Sequence, residues 1–157
     1  MNKIALFADV QNIYYTTRQA YGRQFNYRKL WEIIRPQGEI VSATAYVTQR
    51  NDDAQRKFQD ALKHIGFTLK SKPYIQRSDG SAKGDWDVGI TIDIMKIAPE
   101  VDTLILLSGD GDFAILLTEI RKSYAVNTQA YGVPSLTAKS LIDAAGSYHP
   151  IDEALLI

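Results

Sequence analysis

The chain has 157 residues, of which 45% are hydrophobic and 10% aromatic, and its 18 basic and 18 acidic side chains cancel. This length and composition predict a single globular domain over residues 1–157 and exclude an intrinsically disordered chain. The absence of cysteine excludes disulfide bonds, thiolate metal sites and a cysteine nucleophile. The apolar runs are too short for a signal peptide or a membrane span, so we expect a cytoplasmic protein with no membrane contact.

Apolar segments rich in β-branched residues predict five strands, and the stretches between them have helical length and period. The predicted strands cover residues 3–10, 40–48, 67–76, 102–108 and 125–132. The predicted helices cover residues 11–21, 27–35, 52–66, 85–98, 114–123 and 135–146. Residues 77–84 have the composition of a loop, and the residues after 146 are predicted to form a short tail.

This alternation predicts an α/β fold in which one doubly wound, mainly parallel five-stranded sheet carries helices on both faces. The common strand order 3-2-1-4-5 puts the segment 67–76, which contains Pro73, at a sheet edge and the very apolar segment 102–108 at the centre. Ligands of such sheets bind beyond the carboxyl ends of the strands, where the strand order reverses. In this chain that point lies between the first and fourth strands.

Three segments that are far apart in sequence bring carboxylates to this point. The first strand ends at Asp9, and the fourth is followed by Ser108, Asp110 and Asp112. Asp87 lies at the start of the helix that precedes the fourth strand. Either Asp110 or Asp112 is explained as the cap of the next helix, but neighbouring carboxylates repel each other unless a cation, a proton or a ligand compensates. A cluster of oxygen ligands favours a hard divalent cation such as Mg²⁺.

No competing motif is present. The sequence lacks the glycine motifs of dinucleotide-binding and P-loop proteins, and the acidic stretch after residue 108 does not have EF-hand spacing. The two histidines, His64 and His149, are isolated, and neither provides a base for serine hydrolase chemistry.

The balanced net charge conceals two unlike regions. Residues 50–83 contain eight Lys or Arg against four Asp, whereas residues 84–112 contain seven acids against one Lys. The simpler interpretation is two solvated faces. The alternative is a basic surface that guides an anion to an acidic metal pocket, and the length of the basic segment favours a polymeric anion.

Three motifs in this order resemble the NYN domain family, in its LabA-like branch, a relative of PIN-domain and FLAP-type nucleases. The motifs are FADVQN with Asp9 and Asn12, KGDWDVGITID with Lys83, Asp87 and Asp93, and LLSGDGDF with Ser108, Asp110 and Asp112. The resemblance extends over nearly the whole chain.

The resemblance implies a PIN-like fold, an acidic site for Mg²⁺ or Mn²⁺ and ribonuclease activity. It assigns Asp9, Asp87 and Asp110 as metal ligands, with Asp112 in an outer or second-metal position. Asn12 would orient a carboxylate or the substrate, which completes the expected catalytic set. The expected substrate contacts are Lys83, Ser108, Arg50 and Lys72. Single-stranded RNA is the expected partner, and a homodimer with a second copy of the chain is a further candidate.

Two residues before the fourth strand, Asp85 and Asp87, are candidates for the same metal ligand. In many relatives one residue separates the motif's glycine from its aspartate, whereas here Asp85 and Trp86 intervene. The spacing to Asp93 favours Asp87 over Asp85 as the ligand. Asp93 itself lies about 120° from Asp87 around the helix, and either packs the helix or supports the site.

Other residues also keep two interpretations. Asn12 either belongs to the site or caps the first helix, and Lys83 either contacts phosphate or is a solvated loop residue. Tyr14, Tyr15 and Trp86 either stack on unpaired bases or belong partly to the core.

The leading hypothesis is therefore a metal-dependent ribonuclease. The alternative is a non-catalytic regulatory domain that keeps the acidic pocket to bind metal or RNA, and a small-molecule phosphohydrolase is a third hypothesis. The complete set of acids favours catalysis, because a degenerate site is expected to have lost ligands.

Overall fold

The computed structural model describes residues 1–49, 52–73, 75–76, 82–83 and 85–157, and within these ranges six parallel strands form the main sheet. The sheet order is β3-β2-β1-β6-β7-β8. The strands are β1 (Lys3–Asp9), β2 (Glu39–Gln49), β3 (Thr68–Pro73), β6 (Thr103–Leu107), β7 (Asn127–Gly132) and β8 (Ser147–Pro150). A separate antiparallel pair joins β4 (Ile75–Gln76) to β5 (Ala82–Lys83).

Helices cover both faces of the sheet, as the doubly wound fold predicts. They are α1 (Val10–Tyr21), α2 (Tyr27–Ile34), α3 (Asp53–Ile65), α4 (Asp87–Ile97), α5 (Ala114–Tyr124) and α6 (Lys139–Ala144). Alternate residues of β1 enter two cores: Leu6 packs with α1, α2 and α3, whereas Phe7 packs with α4, α5 and α6. Within the described ranges, no helix combines the length and the hydropathy that crossing a bilayer requires.

The α/β class, the parallel sheet and its central order are confirmed, but the strand count of five is wrong. The predicted tail contains a sixth strand, β8, which pairs with β7. Its sequence SYHP has no apolar alternation, and the ring of His149 stacks on Tyr131 with a centroid distance of 4.7 Å. This strand therefore forms because it pairs with β7, and its own sequence pattern does not predict it.

Three predicted boundaries also change. The segment 67–76 divides into the edge strand β3 and the short β4, and residues 82–83 of the predicted loop form β5. The last helix is shorter than predicted, because a 3₁₀ turn at Pro134–Leu136 precedes it.

The strand order places β1 beside β6, with Ala8 paired to Leu107. β1 ends one residue later, at Asp9, and the loop after β6 begins at Ser108. Because β2 and β3 lie on one side of β1 and the later strands lie on the other, this is the point where the strand order reverses.

Helix α5 ends at a strained residue. Its cap, Ala125, has the left-handed backbone conformation (φ 53°, ψ 29°), which glycine adopts more easily than alanine. We expect Ala125→Gly to raise the free energy of unfolding by about 0.5 kcal/mol, measured by urea denaturation. The control is Ala20→Gly, at an exposed helical position of α1, which should lower the free energy of unfolding by up to about 1 kcal/mol. Equal losses in both variants would contradict the strain.

Candidate metal centre

Asp9 begins the site from the end of β1. It is 6% exposed and caps α1, since its Oδ1 accepts the backbone N–H of Asn12 at 3.4 Å. Its Oδ2 accepts the hydroxyl of Ser108 at 3.2 Å. Burial raises the pKa of Asp9 to about 6; the bonds from Asn12 and Ser108 oppose this rise, and the charges of Asp110 and Asp85 add to it.

Hydrogen bonds within the loop after β6, and from this loop to α1, hold the loop in place. The fully buried Ser108 accepts the backbone N–H of Asp110 at 3.2 Å, and the N–H of Gly109 donates to Oδ1 of Asn12 at 2.9 Å. Asn12 is therefore not the cap of α1, because Asp9 fills that position; its side chain instead ties α1 to the loop. A side chain at Gly109 would meet the Leu136 carbonyl at 2.8 Å, so this tight passage requires glycine.

Asp110 is the cap that the sequence left open between two aspartates. Its Oδ1 accepts the N–H of Asp112 at 2.9 Å and caps the 3₁₀ turn Gly111–Phe113, which leads into α5. Asp112 is exposed and has no such capping bond within the described ranges. A capping hydrogen bond therefore does not explain the carboxylate at this position.

Asp87, in the first turn of α4, forms a cluster with Asp110 and Asp112. One carboxylate oxygen from each of Asp87, Asp110 and Asp112 lies within 4.8 Å of the other two. The pKa of Asp87 is raised to about 7, mainly by burial, then by the charge of Asp110 and its hydrogen bond, and then by the charges of Asp85 and Asp9. The cluster therefore favours a shared proton or a cation near neutral pH.

The donor set fits a hard divalent cation, because it consists of three carboxylates that converge from α4 and from the loop after β6. Asp9 is not one of these three, but it is close enough for its charge to act on Asp87. Asp112, expected in an outer or second-metal position, belongs to the mutually close set with Asp87 and Asp110. Asp9 has two hydrogen bonds of its own, and its role as a ligand stays a prediction.

The model of the NYN domain family matches residues 3–152. The chain belongs to the NYN domain family. The low amplitude and bright protein LabA of Synechococcus elongatus is 27% identical over 160 residues, which cover 97% of this chain and 85% of that protein. The resemblance found in the sequence motifs is thus confirmed.

A solved structure supports the fold of this NYN domain. The crystal structure of a Vibrio parahaemolyticus protein of unknown function superimposes with a TM-score of 0.95 at 51% identity. The match covers 99% of this chain and 96% of that one.

Asp85 and Asp93, the two acids left open in this NYN domain, lie in different environments. Asp85 is exposed, and its Oδ1 accepts the N–H of Asp87 at 3.4 Å. Asp93 accepts the Tyr46 hydroxyl and the Lys70 ammonium group, both at 2.7 Å. Burial raises the pKa of Asp93, but the bonds from Lys70 and Tyr46 outweigh it and leave that pKa lowered. Asp93 therefore packs α4 onto β2 and β3.

The predicted substrate contacts lie in several places. Arg50 is outside the described residues, and Lys72 and Lys83 are described only as backbone positions on β3 and β5. Ser108 is fully buried and bonded within the site.

Within the basic segment, Arg56 pairs with Asp53 at 2.6 Å and Lys70 pairs with Asp93. The ion pair of Lys70 was not predicted, because its partner lies 23 residues away on another element.

The raised pKa values predict that stability falls with rising pH when no metal is present. Both Asp9 and Asp87 bind a proton more tightly in the folded state than at the ordinary pKa of 3.8. Their contribution is therefore greatest at low pH and is lost as the pH rises to about 7. For buried Asp9, the rise from 3.8 to about 6 corresponds to about 3 kcal/mol.

Thermal melting in EDTA at pH 5 and pH 8 measures this dependence. We expect a higher Tm at pH 5, a recovery at pH 8 on addition of Mn²⁺, and a weaker pH dependence in Asp87→Asn. The same change of Tm between pH 5 and pH 8 in the wild type and in Asp87→Asn, both in EDTA, would contradict the repulsion.

Proposed function

We propose that this NYN domain, residues 1–157, is a metal-dependent ribonuclease that hydrolyses phosphodiester bonds of single-stranded RNA. The observation that carries the proposal is the convergence of Asp87, Asp110 and Asp112 close to the charge of Asp9. Folding alone does not account for this arrangement, because the carboxylates repel each other and only Asp9 and Asp110 serve as caps. Membership of a family related to PIN-domain nucleases supports the same reaction.

The carboxylates of Asp87, Asp110 and Asp112 would hold Mg²⁺ or Mn²⁺, with Asp9 adding negative charge close to them. When bound, such an ion polarises the phosphodiester and lowers the pKa of water at the site. Within the chain, Ser108 and Asn12 hold the loop that carries Asp110, and Trp86 fastens the start of α4 by donating to the Val47 carbonyl at 3.0 Å. These bonds keep the acids in place before any ion binds.

The substrate carries negative charge, so cations must hold it beside the acidic cluster. We assign this role to Lys83 on β5, to Lys72 on β3 and to Arg50, which directly follows β2 in the sequence. Exposed Asp112 is the ligand nearest to solvent and the one we assign to an outer position.

The test is cleavage of an end-labelled single-stranded RNA by the purified chain, followed on a denaturing gel. We expect cleavage with Mn²⁺ or Mg²⁺, none in EDTA, and slower cleavage of the same sequence annealed to its complement. A Tm that rises with Mn²⁺ while the RNA stays intact would overturn the nuclease proposal and favour a non-catalytic regulatory domain.

A further inference from the structure

A groove of about 720 Å³ lies between α1, α2 and α3, on the face of the sheet opposite α4. Its floor is apolar and includes Ile13, Phe25 and Leu62, and the exposed rings of Tyr14 and Tyr15 line it from α1. The volume lies within the range of small-molecule and cofactor sites, which is about 300–1,000 Å³. The groove is therefore large enough for one nucleotide.

The charge of the groove differs from that of the whole chain. Arg18, Arg28 and Lys57 line it, and none of the described side chains that line it is acidic. Arg18 lies over the ring of Tyr14, 5.7 Å from its centroid, and donates to the Tyr14 hydroxyl at 2.8 Å. An aromatic wall with cations at its rim is the combination that binds single-stranded nucleic acids, through base stacking and phosphate contacts.

The Tyr27 hydroxyl is a further polar group in the same groove, because Tyr27 lines the groove and is 6% exposed. Gln24 and Asn26 line the groove nearby and offer amide groups. These groups can bond to the edge of a base.

The groove begins beside the candidate metal centre. Val10, the first residue of α1, lines the groove and directly follows Asp9. Burial raises the pKa of Tyr27, and the charge of Asp9 raises it further, while the same charge acts on Asp87. Asp9 therefore lies between the groove and the acidic cluster, within electrostatic range of both.

We propose that this groove binds one unstacked nucleotide of single-stranded RNA next to the acidic cluster, which deepens and rests on the proposed nuclease function. Tyr15 stacks on the base, and the ring of Tyr14 lies edge-on to that of Tyr15, at an interplanar angle of 76°. The Tyr27 hydroxyl bonds to the edge of the base, and Arg28 and Lys57 hold adjacent phosphates. A base within a duplex cannot enter, so the groove selects single strands.

Binding in EDTA tests the groove separately from cleavage. The probe is a fluorescein-labelled RNA of six nucleotides, and the measurement is fluorescence anisotropy at low salt. We expect Tyr15→Ala to weaken binding about tenfold, the effect of one lost stacking contact. The control Tyr124→Ala removes a similarly exposed ring from α5, on the other face of the sheet, and should not change the affinity.

Two further variants test the polar contacts. Tyr27→Phe keeps the ring and should weaken binding several-fold at an unchanged Tm. Lys57→Ala should reduce the salt dependence of binding, whereas Lys122→Ala, exposed on α5, should not.

Equal affinities of wild type, Tyr15→Ala and Tyr27→Phe, or equal binding of the annealed duplex, would overturn the groove proposal. Cleavage in Mn²⁺ with an unchanged KM in Tyr15→Ala would refute the groove and leave the nuclease proposal standing. RNA binding that is weakened by Tyr15→Ala, with no cleavage in Mn²⁺, would support the groove and refute the nuclease proposal.

Discussion

Replacing Asp110 with asparagine should nearly abolish cleavage of single-stranded RNA and leave the metal-free protein at least as stable as the wild type. Asp110 is one of the three carboxylates that converge within 4.8 Å, so its loss removes charge that a divalent cation needs. Losing a residue that merely supports a metal ligand typically lowers affinity or activity about 10- to 100-fold, and we expect a larger loss here. Cleavage rates at saturating Mn²⁺ measure it.

The stability of Asp110→Asn follows from the two roles of this side chain. Asparagine can still accept the N–H of Asp112, so the cap of the turn is kept. The repulsion between Asp110 and Asp87 disappears, so the Tm in EDTA at pH 8 should equal or exceed that of the wild type. Mn²⁺ at 100 times its Kd should stabilise the wild type by about 2.7 kcal/mol and the variant by less.

Asp112→Asn is the matched comparison, because it removes the same charge from an exposed residue without a capping bond. We expect a smaller loss of cleavage than in Asp110→Asn. If Asp110→Asn melted well below the wild type in EDTA and still cleaved RNA, the acidic pair would be structural and the nuclease proposal would be wrong.

Asp93→Ala should give the opposite pattern, with a clear loss of stability and nearly unchanged cleavage at temperatures well below the Tm. The substitution leaves the hydroxyl of the fully buried Tyr46 without its acceptor and removes the partner of Lys70. An unsatisfied buried polar group costs about 1–3 kcal/mol, so we expect a loss of about 2 kcal/mol. For a chain of this length the Tm should fall by about 4–8 °C.

The control for Asp93→Ala is Asp143→Ala, which breaks the exposed ion pair between Lys139 and Asp143 and should change the Tm little. Thermal melting with and without Mn²⁺ distinguishes the role of Asp93 in stability from the role of Asp87 in metal binding. If Asp93→Ala kept its Tm but lost the response to Mn²⁺, Asp93 would belong to the metal centre instead of the packing of α4.

The centre of the sheet could be predicted because local and global signals agree there. The apolar runs that became β1 and β6 are recognisable alone, and the rule for parallel sheets makes them neighbours. The last strand could not be predicted, since Ser147–Pro150 is polar and short. Its place depends on hydrogen bonds to β7 and on the stacking of His149 on Tyr131, which only the folded chain provides.

The candidate acids could be named from the sequence because the carboxylates that follow neighbouring buried strands outnumber those that helix capping requires. The separate role of each acid could not be predicted, because it depends on the hydrogen-bond partners of its carboxylate in the folded chain. Asp9 is turned toward Asn12 and Ser108, and Asp93 meets Tyr46 from a strand 47 residues earlier. The groove beside α1 was equally hidden, since α1, α2 and α3 each contribute only part of it.

The capping bonds of Asp9 and Asp110 have a genetic consequence. In both, a carboxylate oxygen accepts a backbone N–H, and the side-chain oxygen of asparagine can accept the same bond. The codons of aspartate and asparagine differ by one base. One point mutation in either codon therefore removes one negative charge from the centre while both caps persist. If the proposed cleavage requires that charge, an active and an inactive form of this fold differ by one base, and both of them fold.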